Sequence, residues 1–492
     1  MKKIFTLILS VLLIYSSVWA RTPEEAAIIA SGFMSQKHTS TTVAQRVQKA
    51  KSINVAPSAV SLEYTQATAS NENAVYVFNH TDGGFVLVSA ADNSREVLGF
   101  SDNGYFDKND IPTNMQFWLQ MYANEIAKSK NTTTSAMSAP SHAKSYTVVS
   151  PLLDCTWDQA APYNNDCPLV GGERCVTGCV ATAISQIMYA HKYPTRGSGS
   201  YSYTSDDGVY ASANFGATTY DWNNMLPYYW NNYDNTQASA VAKLMYHVGV
   251  SSKMDYGVNG SGAVSQIALA NLCTYFRYDK GISVLPKDFM NEADILDSIS
   301  VDLQAGRPIY VDGRTKSDSG HAFVCDGMRS DGYIHINWGW GGYCNGYFTM
   351  SALNPDDQGI GGSSDNSAFT EQVTFYTNIQ PDKGGTAKPF ATVSNLTLTS
   401  DEVISKNADI SFRLDHFCNI GLADAKGTLK YYFYDTNDHL IANSNCRQSI
   451  DLPPGYYYDP ISLSQSIPAG LANGDYELEV VYVYTDDNMS VK

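Results

Sequence analysis

Basic residues are scarce in this 492-residue chain: 32 Lys and Arg stand against 49 Asp and Glu, a formal charge of −17. Phosphate binding needs concentrated Lys and Arg, so neither a nucleic acid nor an anionic lipid surface is expected as a partner. Long apolar runs are scarce too. Past the first twenty residues no stretch approaches the ~18 apolar residues of a membrane span. Nine cysteines are present, but an odd count at irregular spacing makes no disulfide framework. In an oxidising compartment at least one thiol stays unpaired or pairs between chains. Metal spacing is also missing: Cys175, Cys179 and His191 lack the second ligand pair of a structural zinc site. The Gly-rich GWGGYCNG (339–346) opens no helix, which argues against a dinucleotide loop. No metal and no cofactor are expected.

What is present begins with a targeting segment. Lys2 and Lys3 precede an apolar run from Ile4 to Ile14, and Val18-Trp19-Ala20 offers a small-residue cleavage site. Residues 1–20 therefore predict export, with a secreted, periplasmic or cell-surface destination. No Cys lies near that site, so no lipid anchor is expected there. The remaining length predicts about three domains, and 43% hydrophobic against 16% charged residues describes folded chain.

Residues 21–145 look like a small α+β unit and a linker. Thr22-Pro23-Glu24-Glu25 is a capping box with Pro at the first helical position, opening a helix through about Met34. AVYVFN (74–79) and GFVLVSA (84–90) predict two strands joined across residues 80–83. Residues 114–130 form an amphipathic helix whose apolar face holds Phe117, Trp118, Met121, Tyr122 and Ile126. The small, polar stretch 131–145 predicts an exposed, cleavable linker. Residues 146–383 place helices first and strands afterwards, the pattern of a segregated α+β domain. From 384 to 492, alternating strands at regular spacing predict an all-β sandwich.

The chemistry concentrates in the middle unit. GCVATAISQIMYAH (178–191) is a helix with Val180, Ala183, Ile184, Ile187 and Met188 on one face. Cys179 falls in its first turn, where unpaired N–H groups and the dipole favour a thiolate. A thiol nucleophile needs a base, a group to orient that base, and donors for an oxyanion. Of nine histidines, His191 and His247 end helices, where a partly exposed imidazole meets the dipole without a catalytic role. His335 sits mid-strand, a structural position, whereas His321 opens a strand after Ser319-Gly320. Asn337 lies on the next strand of a short hairpin turned at 329–332. Neighbouring strands run about 4.8 Å apart, so its amide is within reach of the imidazole if the register allows.

CVTGCVATAISQIM, GHAFVCDGM and HINWGWGGYCNGYF resemble the streptopain family of papain-like cysteine peptidases. WDQAAPYNNDCP, MDYGVNGSGA and SALNP extend the resemblance over nearly all of 150–380, in the family's order. Residues 74–129 resemble its inhibitory propeptide. The papain signature itself is absent, because Val180 stands where an aromatic would follow the Cys. The resemblance implies a papain-like domain behind an inhibitory propeptide acting in cis, and hydrolysis of protein or peptide substrates. Residue by residue, it implies Cys179 as nucleophile and His321 as base. Asn337 would orient the imidazole, and Trp338 would shield that bond. Gln159 would complete the oxyanion hole, while Ser261 and Gly320 would touch substrate backbone.

Two alternatives stay open on the residues alone. A transglutaminase or cell-wall amidase also uses a Cys–His pair, often with an Asp such as Asp326. A non-catalytic adhesin would suit the C-terminal β-sandwich. The C-terminal unit is expected to be dispensable for chemistry, since every implied catalytic residue precedes position 340.

Overall fold

Residues 20–39, 59–129, 144–315, 320–352, 371–401, 408–437, 439–467, 473–485 and 490–491 are described by the computed structural model of the chain. The expected export signal and most of the expected linker lie outside these residues. Helix α1 (Pro23–Thr39) starts as its capping box dictates. Thr22 N–H donates to Glu25 Oε2 at 2.8 Å, and Glu25 N–H donates to Thr22 Oγ1 at 3.2 Å.

Next comes an antiparallel meander, β1 (Val60–Ala67), β2 (Asn73–His80), β3 (Phe85–Ser89) and β4 (Val97–Ser101). Helix α1 packs Ala26, Ala30 and Met34 on one face, and α2 (Thr113–Ser129) packs Trp118 and Tyr122 on the other. Strands covered on both faces read as continuous apolar runs, and every residue of β3 and β4 is buried.

The middle unit divides as expected into a helical half and a sheet half. Helices α3 (Cys179–His191), α4 (Asn235–Ser251) and α5 (Ser265–Phe276) share one core. Two ribbons flank them, β5 (Leu169–Val170) with β6 (Glu173–Arg174) and β7 (Tyr201–Thr204) with β8 (Tyr210–Ala213). The other half holds β9 (Ser283–Pro286), α6 (Glu292–Gln304), β10 (Ile309–Thr315), β11 (Gly320–Met328), β12 (Ile334–Asn337), β13 (Gly346–Phe348) and β14 (Glu371–Thr377).

These strands and the N-terminal meander form one ten-stranded sheet, ordered β1-β2-β3-β4-β13-β12-β11-β10-β14-β9. The seam is β4 against β13, pairing Phe100 with Tyr347 and Gly99 with Phe348. Side chains alternate across the sheet. Ala322 and Val324 of β11 face the core of α3–α5, while Phe323 and Cys325 face a second core shared by α6 and α2. The N-terminal helix α2 thus supplies part of the middle unit's own interior.

The C-terminal unit holds three small sheets: β15 (Ala391–Thr392) with β18 (Phe417–Asn419) and β21 (Tyr457–Tyr458); β16 (Asn395–Leu398) with β17 (Asp409–Asp415) and β22 (Ile461–Ser466); and β19 (Ala425–Tyr434) with β20 (Leu440–Leu452), β23 (Glu477–Tyr484) and β24 (Ser490–Val491). Alternate residues of β17, β19 and β22 meet in one core that includes Phe412, Tyr431 and Leu463, the layering of a sandwich.

Candidate active site

Three backbone segments converge on the mouth of α3. Gly178 caps the helix at φ 85°, and a Cβ there would lie 2.8 Å from the Ser261 carbonyl oxygen, so only glycine suits the position. Two residues before Cys179, the Thr177 N–H donates to the Gln159 carbonyl at 3.2 Å. The Val176 N–H donates to the Gly257 carbonyl at 3.2 Å, and Ser261 Oγ donates to the Val176 carbonyl at 2.7 Å. Gln159 and Ser261 are therefore both fastened beside Cys179. The Ser261 hydroxyl is committed to this tether, which leaves its backbone for any ligand.

The fourth segment is the start of β11. There Ala322 pairs with Asp312 of β10, His321 with Gly313, and the exposed Gly320 with Arg314. The Ala322 N–H approaches Cys179 closely enough to favour its thiolate. Burial nevertheless dominates and pushes the Cys179 thiol above its ordinary value. The N–H groups of Ala322, Val180 and Cys179 itself pull it down, while the Asp312 carboxylate adds to the rise. Burial also lowers His321 below the usual histidine value. Both shifts run against the charged forms, opposite to the ionised thiol expected at a helix mouth.

On the α2 side of the sheet His321 has an aromatic neighbour. Phe117 of α2 sets its ring 5.9 Å from the His321 ring, tilted by 51°. It fills the space over β10 so closely that a Cβ on Gly313 would lie 2.4 Å from it. The sequence placed Phe117 only on a core-facing stripe, and the structure sets it against His321. A single-chain pattern shows that a helix face is buried, but it does not show against which strand.

Asn337 departs from its expected role. β12 pairs Asn337 with Val324, three residues from His321 along β11. Its Nδ2 donates to the Cys155 carbonyl at 3.0 Å and its Oδ1 accepts from the Gly339 N–H at 3.1 Å. Through these bonds the amide braces the 155–157 segment against the sheet, and among the described residues it makes no hydrogen bond to His321. Trp338 lies on the α2 side of the sheet. It donates to the Cys344 carbonyl at 2.8 Å and packs on Phe323, Phe348 and Trp118 of α2. His335 is held by the buried Asp326 at 2.6 Å, the structural position its mid-strand place predicts.

His191 and His247 also depart from expectation. Each meets a tyrosine hydroxyl, of Tyr278 at 3.2 Å and Tyr220 at 3.0 Å. Burial lowers both to about 4, so they stay neutral and desolvation outweighs the helix dipole. Among the described residues no cluster of His, Cys, Asp and Glu is arranged to hold a metal. No described helix is long and apolar enough to cross a membrane.

Comparison with known proteins adds an independent line. The peptidase C10 family matches residues 157–348, and the Spi protease inhibitor family matches residues 20–126. Streptopain of Streptococcus pyogenes is 34% identical over 327 residues, 62% of this chain and 81% of streptopain. The thiol protease/hemagglutinin PrtT of Porphyromonas gingivalis is 32% identical over 338 residues, 65% of this chain and 38% of that protein. A Prevotella intermedia prointerpain A fragment superposes with a TM-score of 0.54 at 35% identity, covering 64% of this chain and 98% of the fragment.

Proposed function

This chain belongs to the peptidase C10 family as a cysteine peptidase carrying a Spi-type inhibitor ahead of its catalytic region, and from that premise we propose the roles of its site residues. Cys179 is the nucleophile and His321 the base. The thiolate attacks the carbonyl carbon of a peptide bond, and the protonated imidazole gives its proton to the departing amine. Water then hydrolyses the acyl-enzyme with His321 accepting its proton. Gln159 and the Cys179 N–H stabilise the oxyanion, and the backbones at Ser261 and Gly320 hold the substrate. Proteins and peptides are the substrates, met after export from the cell.

One observation supports this reading: Cys179, in the first turn of α3, and Ala322, next to His321, pack on one core at the helix mouth. Phe117 adds the regulatory half. A ring inserted at His321 leaves the pair un-ionised until α2 withdraws, which cleavage within 131–147 permits. Residues 146–383 then form the active unit. The deciding experiment incubates purified precursor and its Cys179→Ala variant, and sequences any new N-terminus. The native chain is expected to acquire one in the 131–147 segment and to hydrolyse a peptide. A variant that keeps full proteolysis overturns the assignment.

A further inference from the structure

The C-terminal sandwich does not hang free of the catalytic unit. Leu422, between β18 and β19, is buried in the core of α3–α5. Gly455, at φ 76°, approaches the head of α5 so closely that a Cβ would lie 2.4 Å from Val264. Cys418 of β18 lies within the electrostatic reach of Arg314. Both contacts fall beside the positions assigned to substrate backbone: Val264 is three residues beyond Ser261, and Arg314 pairs with Gly320 across β10 and β11. Gln266 ties the two together, accepting from Arg314 Nη2 at 3.0 Å and donating to the Tyr376 hydroxyl at 2.7 Å.

What the sandwich presents at this place is aromatic and open. Cys418 pairs with Tyr457 and Phe417 with Tyr458. Tyr456, Tyr457 and Tyr458 are 48%, 56% and 43% exposed, although three consecutive aromatics would normally be partly covered. His416 stacks on Tyr457 at 4.6 Å and 30°, which fixes the ring's orientation. Rigid tyrosines give a large amphipathic contact at low entropic cost, a common chemistry for gripping peptide.

We propose that Tyr457, on the same face as Cys418, and His416 stacked on it extend the substrate cleft into the C-terminal domain. The occupant is an extended polypeptide substrate, whose aromatic or apolar side chain several residues from the scissile bond rests on this platform. Continuity with the cleft favours that occupant, because a strand laid along Ser261 and Gly320 leaves the catalytic unit at Arg314 and Val264. This inference rests on the substrate positions assigned above.

The test uses full-length, activated enzyme carrying Tyr457→Ala or Tyr456→Ala/Tyr457→Ala/Tyr458→Ala. Each is assayed on a dipeptide reporter too short to reach the platform, on a longer peptide with an aromatic remote from the cut, and on the same longer peptide with glycine there. All three side chains are exposed, so the variants are expected to fold. The expected result is about a tenfold loss of kcat/KM, carried by KM, on the aromatic peptide alone. Equal rates for variants and native enzyme on all three peptides overturn the platform. An equal fall on all three, dipeptide included, also overturns it and leaves Tyr457 a structural role. Native enzyme that cleaves none of the peptides overturns the peptidase site itself, a result distinct from either.

Discussion

A thiol in the first turn of a helix gains about 0.3–1 kcal/mol from the dipole at an exposed end, whereas full burial moves a pKa by roughly 3–5 in the opposite direction. At Cys179 desolvation is the larger effect although the residue keeps some exposure, and in the proposed closure Phe117 holds the His321 ring on the α2 side, away from the thiol. Iodoacetamide should therefore label Cys179 slowly in the precursor at pH 7. Once α2 has withdrawn it should label rapidly, and still below pH 7; equal rates in the two forms would contradict the proposed closure. Gln159 is tested in the same activated enzyme. Gln159→Ala is expected to lower kcat by about 10²–10³ with KM barely changed, while alkylation proceeds at the native rate because it forms no oxyanion. The buried histidines make a separate prediction. His191 and His247 titrate near 4 when folded and near 6.5 when unfolded. The unfolded chain thus binds more protons between those values. Their contribution is complete above pH 7 and is lost as pH falls toward 4, up to about 3 kcal/mol for each. Denaturant titrations from pH 7.5 to 4.5 should show this slope, and His247→Gln should flatten it. The start of α3 at Cys179 was legible because Gly178 precedes it, and the start of β11 because Gly320 marks it. The pairing of Asn337 with Val324 was not legible, because a register of strand pairing is invisible until the bulge near Asp326 is known.

At the level of elements, α2 carries two allegiances. Its apolar stripe was readable from spacing alone, and so were the strands of its own meander. The seam between β4 and β13 was not, because it depends on close backbone approach rather than on pattern. A Cβ on Gly99 would meet the Phe348 ring at 2.4 Å, and one on Gly346 would meet the Phe100 carbonyl oxygen at 2.4 Å. Ion pairs reinforce the seam: Arg95 reaches the buried Glu292 at 3.0 Å, and Glu125 of α2 pairs with Lys287 while accepting from the Ala352 N–H at 2.7 Å. Within this interface Phe117 sets its ring against the imidazole of His321, the proposed base. Truncating a buried Phe to Ala costs about 3–5 kcal/mol, and here that cost falls on the docking of α2. Phe117→Ala precursor should consequently hydrolyse a short peptide before any cleavage and process itself faster than the native chain. A time course of both reactions checks this, and a variant precursor as silent as the native one would show that Phe117 does not close the site.

For the whole molecule, the sandwich was legible as a fold and illegible as a neighbour. Alternating residues announce a two-sided sheet, but nothing in β18 or β21 marks the peptidase as the surface they lie against. That docking changes what removal of residues 384–492 should do. Every residue assigned to bond cleavage precedes position 340, so a chain ending near Lys383 keeps the chemistry. It loses Leu422 from the core of α3–α5 and the cover over Val264, and replacing a buried Leu by empty space costs about 2–5 kcal/mol. The shortened enzyme is expected to unfold at lower denaturant concentration and still to cleave a dipeptide reporter within a few-fold of the native rate. Its loss on the long aromatic peptide should match that of the tyrosine variants and should not add to it, since both changes remove the same platform. A truncated enzyme that folds but cleaves no dipeptide would place an essential part of the active site beyond Lys383. Undiminished cleavage of the long peptide would show instead that substrate never reaches the sandwich.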